Sequence, residues 1–518
     1  MNNKSFIIFM VLLTVVLAGC QNLTEDPKGN LTPVTYFKTQ SDLDAAVAAI
    51  YQGFAHDYGF GFTAGSACAS YGSDDMTTDP GLNKGDMRQF DELNANSTNA
   101  SYQEQWTAMW GGIYQANNVI VNYKKVTNST DALVNAAAGQ AYFMRAWCYY
   151  NLVRNFGPLP LVLGQLDVDA RPARSSVADV YTSIVNDLQT AKSMLPPSVL
   201  NQPGIAGQPG KATVNAAKAL LTDVYLTMAG WPLNQTSNYA LAATEAAPLI
   251  GQYTLVSDYL KVYTTNNSTE SIFTLQFNVA GKDDMRSFGC SSVPLEEVAL
   301  NGTSGWDDYY PEINFFKNAP KCKRTDQTFY TTIKLINDDK KTYTLVPWND
   351  TRTNARHPYY KKFRYGLNGD GLTETDSTIL TMAPSTNKAL DVIRYPMVLL
   401  DYAEAIAMST GPNQASYDAI NLVRQRAGLP NLTTGLSATA FRDSVVYERA
   451  YEFCGETTAQ RWFDIVRLQL LPKIIAQRDP TENPIPAKYV ADPSTRYLAP
   501  IPLNEMDLNK QWSQNPGY

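Results

Sequence analysis

Two groups of residues in this 518-residue chain have the types and spacing to do chemistry. The first is Leu17-Ala18-Gly19-Cys20, which follows Lys4 and an apolar run over residues 6–17. A short basic head, a hydrophobic stretch and small residues before a cysteine form a bacterial lipoprotein signal, cleaved ahead of Cys20 and acylated there. The run stops short of the roughly 20 apolar residues that cross a bilayer, which disfavours an uncleaved anchor helix. The expected product is a soluble body tethered by lipid to a membrane surface.

The second group mixes aromatic and polar residues. Gly305-Trp306-Asp307-Asp308-Tyr309-Tyr310 places both kinds within six positions, and Trp348-Asn349-Asp350 repeats the combination. The 71–88 stretch adds Tyr71, Asp74, Asp75 and Arg88, and residues 94–99 add amides. Sugar rings have apolar faces and polar edges, so exposed rings beside carboxylates, amides and arginine suit carbohydrate capture. The expected ligand contacts are Trp306, Tyr309, Tyr310 and Trp348, with Tyr71, Asp74, Asp75 and Arg88 around them. Packing of their own segment is the competing use of these rings, because large aromatics are mostly buried.

Catalysis finds less support. No HExxH or GxSxG occurs, and only two histidines, His56 and His357, are present. That poverty disfavours Ser-His or Cys-His chemistry and a protease-type zinc site. A glycoside hydrolase needs only two carboxylates, so 49 acidic residues leave that reading open as the lesser one. The net charge of -7, with no basic run, argues against nucleic acid as a partner. Cys68, Cys148, Cys290, Cys322 and Cys454 are too scattered to be a disulfide framework; Cys148 and Cys454 read as core residues, and a Cys290–Cys322 bridge stays open. No cofactor is expected. Aspartate-rich patches leave structural calcium open, though none follows the EF-hand pattern.

The elements that must position these residues are mostly helical. Residues 1–19 are the signal and 20–40 an extended tether. A scaffold over 41–251 opens with a helix from Ser41, with Asp44 as capping-box partner and Leu43, Val47, Ile50 and Phe54 on the buried face. A long polar loop over 56–100 follows, then a helix from Ser101 with Glu104 as its acid. Further helices are predicted over 131–155, from Ser176, from Thr213 and over 238–250. From 252 to 395 the pattern shifts to short alternating runs such as 271–277 and 342–346, a loop-rich insertion expected to bind ligand. Helices resume over 395–408, 414–427, 437–454 and 457–471, and the tail from Pro472 reads as irregular. Trp106, Trp110, Trp147 and Trp462 fall at core spacing. Arg145, Glu404, Arg424, Glu448, Arg449 and Asp464 read as inter-helix ion pairs or cap contacts, and Gly111-Gly112 as a close approach of a neighbour. The fold class is mainly α, helix pairs of tetratricopeptide-like character carrying an irregular insertion with short β-strands.

Four stretches together resemble the SusD/RagB family of surface nutrient-binding lipoproteins from Bacteroidetes. They are Ala141-Tyr142-Phe143-Met144-Arg145-Ala146-Trp147 through Phe156-Gly157-Pro158-Leu159-Pro160; Arg394-Tyr395-Pro396 through Tyr402-Ala403-Glu404 to Arg426-Ala427-Gly428-Leu429-Pro430; Glu448-Arg449 through Arg461-Trp462-Phe463-Asp464-Ile465-Val466-Arg467; and Pro500-Ile501-Pro502 with Gln514-Asn515-Pro516-Gly517-Tyr518. Two departures stand out: Thr457-Thr458-Ala459 follow Glu456 where a glycine is usual, and Lys510 replaces a common proline. The resemblance implies a helical fold and a place on the outer membrane beside a TonB-dependent, SusC-like transporter. It also implies oligosaccharide capture without catalysis; some relatives take peptides instead, which is the alternative ligand. Ligand-contacting loops vary in this family, so no binding residue transfers by motif.

Overall fold

The computed structural model describes residues 36–55, 59–60, 72–81, 84–167, 169–277, 291–296, 306–339, 342–363, 388–458 and 460–518. Cys20, Tyr71, His56, Cys68 and Cys290 lie outside them. Among the described residues, helix takes 53% and the strands form only two-stranded pairs, so the fold is mainly α.

Side-chain caps open several of the long helices. Helix α1 (Gln40–Ala55) opens on Thr39, whose hydroxyl accepts from the Asp42 N–H at 3.2 Å while Asp42 accepts from the Thr39 N–H at 2.8 Å. This reciprocal box satisfies two orphan donors and lies two residues before the Ser41–Asp44 pair that has the same spacing. Helix α2 (Gly85–Asp91) interrupts the expected long loop. Helix α3 (Ala100–Asn122) is capped by Asn99, which accepts from the Ser101 N–H at 3.1 Å. Helix α4 (Asp131–Phe156) starts at Thr130 and stops at Gly157, whose φ of +70° favours glycine. Helices α5 (Val177–Met194) and α6 (Val214–Met228) are capped by Ser176 and Thr213, as the spacing predicts, and α7 (Asn238–Ala246) follows.

These helices pack in sequence, α3 on α4, α4 on α5, α5 on α6 and α6 on α7, with α1 against α3 and α4. The predicted face of α1, Leu43, Val47, Ile50 and Phe54, is buried in one large core with Trp106 and Trp147. A β-carbon at Gly112 would run into the Phe54 ring and come 2.8 Å from the Cys148 sulfur, so glycine is required there. Gly111 meets no such neighbour.

Helix α7 packs directly on α11 (Tyr395–Thr410), so the chain between them leaves the scaffold and returns to nearly the same place. That excursion contains α8 (Tyr259–Thr264), α9 (Ile313–Lys317) and α10 (Lys323–Thr328). Four antiparallel pairs organise it. Strand β1 (Thr77–Thr78) pairs with β3 (Tyr309–Tyr310), and β2 (Ser271–Leu275) with β8 (Leu390–Arg394). Strand β4 (Phe329–Tyr330) pairs with β7 (Tyr359–Tyr360), and β5 (Thr332–Ile336) with β6 (Tyr343–Pro347). The β2–β8 pair ties the ends of the excursion together beside α6. Helices α12 (Gln414–Ala427), α13 (Ala438–Phe453) and α14 (Gln460–Arg467) complete the scaffold. The tail is more ordered than its prolines suggest, holding α15 (Leu471–Gln477), α16 (Ala487–Ala491) and α17 (Leu503–Leu508). Cys322 carries a free thiol; Cys290, the other half of the bridge left open, lies outside the described residues.

Buried charge joins excursion to scaffold. Glu452 of α13 is fully buried and meets three guanidiniums: Arg324 of α10 at 3.1 Å, Arg394 at the end of β8, and Arg426 of α12. Arg324 also reaches Glu448 at 2.6 Å, and Arg394 reaches Glu456 at 2.8 Å and Glu270 at 3.4 Å. Burial alone would raise the Glu452 carboxyl, but Arg426, Arg394 and Arg324 overcome it and hold the group down at about 2. A second knot joins Arg449 to Asp464, Asp401 and Glu404 at 2.8–3.0 Å, and Arg467 to Glu404 at 2.6 Å.

Removing one member of such a cluster strands buried charge on the others. Glu452→Ala should therefore destabilise the fold by about 3–5 kcal/mol in urea unfolding. The depressed carboxyl contributes stability that is fully present above its ordinary value of 4.5 and lost as pH falls towards about 2. In Glu452→Gln that acid-side loss should be smaller than in the parent chain.

Candidate functional site

The β1–β3 pair brings together the two stretches whose chemistry stood out, setting Thr77 opposite Tyr310 and Thr78 opposite Tyr309. Two of the expected contacts are corrected by this geometry. Tyr309 is 0% exposed and Tyr310 1%. Successive strand residues point to opposite faces, and both faces here are covered. Tyr309 joins the large core near Tyr360, whereas Tyr310 stacks on His357 at 4.2 Å in a smaller cluster with Ile333, Val346 and Tyr359. Neither ring has a face for a ligand.

Three polar residues of the same expectation are engaged by the scaffold. Asp74 accepts from both Nε and Nη2 of Arg461, each at 2.6 Å. Asp75 is buried, takes the Gly455 N–H at 2.7 Å and the Ser73 hydroxyl, and is pushed up to about 6 chiefly by that burial. Arg88 donates to the carbonyls of Gly81, at 2.9 Å, and Pro80, closing its own turn. Tyr71 lies outside the described residues.

Trp306 and Trp348 remain, and both are half-buried. Trp348 follows β6 and sets its ring edge-on to Phe316 of α9 at 5.8 Å. A polar turn leaves it: the Arg352 guanidinium clasps Asp350 at 2.8 and 2.9 Å, and the Thr353 hydroxyl donates to the Trp348 carbonyl at 3.0 Å. Asn354 then bridges to the other tryptophan's neighbour, its amide donating to Asp307 at 2.9 Å and to Asp79 at 3.3 Å. Asp307 holds φ at +56°, a strained value for a non-glycine residue, and also takes the Tyr359 hydroxyl. Asp308 receives the Lys84 ammonium. Thr353 and Asn354 thus tie the backbone at Trp348 to the residue beside Trp306. Nothing local in the sequence marks Asn354, whose role depends on partners 47 and 275 positions away. The turn-forming Asn349-Asp350 is its nearest signal.

The arrangement can stack and hydrogen-bond. The ring nitrogens of His357 meet the Glu482 carboxylate at 3.0 Å and the Ala355 carbonyl at 2.6 Å, so it is already committed. Among the described residues no cluster of His, Cys, Asp or Glu could hold a metal ion, so the aspartate-rich patches there offer calcium no such set.

Burial pushes the Asp307 carboxyl up to about 6, and Asp79 and Glu296 add to that against the hydrogen bonds of Tyr359 and Asn354. Its ionised form therefore weakens the fold above about pH 6, and the loss is recovered as pH falls to the ordinary value of 3.8. Carboxyl NMR should find this titration near 6. Asp307→Asn should flatten the stability profile over the same window.

Comparison with known proteins follows the same lines. The SusD family model matches residues 257–518, and a model described as starch-binding, associating with outer membrane, matches 25–226. The chain is 28% identical to SusD-like protein P2 of Formosa agariphila, over 99% of this chain and 100% of that one. A SusD homolog from Bacteroides thetaiotaomicron superposes with a TM-score of 0.79 at 23% identity, covering 94% of this chain and 98% of the other. Surface glycan-binding protein A of the same organism, solved with laminarihexaose, gives 0.72 at 20% identity, covering 92% and 100%. With its half-buried indoles carried on a helical scaffold of this shape, the chain belongs to the SusD family of non-catalytic binding proteins.

Proposed function

We propose that this chain is a lipoprotein anchored through Cys20 to the outer membrane and exposed at the cell surface. There it captures oligosaccharide and passes it unaltered to a TonB-dependent, SusC-like transporter. The observation that carries the reading is the pair Trp306 and Trp348. Both stay half-buried while Tyr309, Tyr310, Tyr359 and Tyr360 beside them are sealed inside. The apolar face of a sugar ring would lie on an indole, and its hydroxyls would meet Arg352, Asn354 and the acidic edge. The outer-membrane, starch-binding description of the matched family model supports this. So do a neighbour described as a laminarin-binding SusD-like protein, with a TM-score of 0.74, and the laminarihexaose complex. Which glycan this chain prefers is set by the residues around the indoles.

Trp306→Ala with Trp348→Ala should weaken glycan binding by at least about tenfold in calorimetry, roughly 1.4 kcal/mol, with the helical circular-dichroism signal intact. Unchanged affinity would remove both rings from the site. Cys20→Ala should shift the protein out of the outer-membrane fraction on cell fractionation. Retention there would contradict the anchor.

A further inference from the structure

Helix α9 carries two adjacent phenylalanines with different duties. Phe316 meets Trp348, whereas Phe315 stacks on Tyr451 of α13 at 4.5 Å and 24°. The Phe315–Tyr451 pair walls a separate groove of about 530 Å³ bounded by α9, α13 and α15. That is the size of small-ligand sites.

The charges lining this groove cancel. Four carboxylates and four cations line it. Arg461 is held by Asp74 at 2.6 Å, Arg478 by Asp91 at 2.7 Å, and Arg442 by Asp443 at 2.7 Å. Glu312 is capped by the Asp479 and Phe315 N–H groups at 2.7 and 2.5 Å. What remains unengaged by protein, among the described residues, is the Lys473 ammonium and the side-chain amides of Gln477 and Asn318. Tyr447 is 45% exposed, edge-on to Tyr451 at 4.9 Å, with its hydroxyl pinned to the Asn318 carbonyl at 3.1 Å. Its ring is already oriented, which lowers the ordering cost of stacking on it.

We propose that this groove is a second saccharide subsite that takes a neutral sugar unit. Tyr447 offers an aromatic surface, and Gln477 and Asn318 each offer a donor and an acceptor, matching hydroxyls that both give and receive. A peptide's ammonium would have to displace an arginine from Asp74, Asp91 or Asp443 or uncover the buried Glu312, and the balanced lining leaves an acidic sugar only the Lys473 ammonium. The subsite rests on the same reading of saccharide capture but stacks on neither Trp306 nor Trp348.

The test is a printed array of neutral, uronate-bearing and sulfated oligosaccharides, probed with the full chain and three variants. Tyr447→Ala and the exposed pair Lys473→Ala/Gln477→Ala should each lower apparent affinity for retained neutral glycans by about fivefold. Melting temperatures check that the variants fold, and the exposed pair keeps the test sound if Tyr447→Ala does not. The third variant, Trp306→Ala/Trp348→Ala, separates the sites. If it alone loses binding, the groove is overturned and the indole site stands; if the groove variants alone lose binding, the reverse holds. Loss confined to uronate or sulfated glycans overturns the neutral assignment, and no glycan retained by the parent chain overturns both readings.

Discussion

Glu452 is where the excursion and the scaffold are held in register. One buried carboxylate is shared by guanidiniums from α10, from the end of β8 and from α12, and each of these is paired again with Glu448, Glu456 or Glu270. Taking so many charges out of water costs several kcal/mol per ion, and their attraction offsets that cost only if every member is in place. The cluster therefore fixes geometry more than it adds stability. Lys362, just beyond β7, joins it through Glu456 at 3.5 Å, so the segment carrying Tyr359 and Tyr360 is tied to the same point. Those two tyrosines in turn pack beside Tyr310 and Tyr309.

Rigidity of this kind suits a capture surface. A loop-built site loses affinity if its rings must be ordered when the ligand arrives. Here Trp348 is braced by Phe316, and Asn354 locks the following turn to Asp307 and Asp79. The strained backbone at Asp307 and its raised carboxyl are the local cost of holding that bridge in a partly dry setting.

How much was legible in the sequence follows from the range of each interaction. Helices were readable because amphipathic spacing and caps are local: Ser176 and Thr213 sit where the pattern puts them. At Thr39 and Asn99 neighbouring residues offered equivalent caps, so the starts moved by one or two positions. Trp106, Trp147 and Trp462 are buried, and Arg145, Glu404, Arg424, Glu448, Arg449 and Asp464 form ion pairs, as their helical setting implied. The short strands were not readable to the residue. Whether Tyr309 faces ligand or core depends on Thr78 and Tyr360, and two-residue strands carry no periodicity that would reveal such partners. The partners of Asp74 and Asp75 were hidden for the same reason: Arg461 and Gly455 lie 387 and 380 positions away.

The central claim is that two half-buried indoles, held by a rigid helical frame, are what sugar touches. Fluorine NMR of 5-fluorotryptophan-labelled protein tests it directly, because the chain has eight tryptophans with different expected responses. On saturation with a bound oligosaccharide, the resonances of Trp306 and Trp348 should move while those of Trp106, Trp147 and Trp462 stay fixed. Binding that leaves Trp306 and Trp348 unmoved would contradict the account.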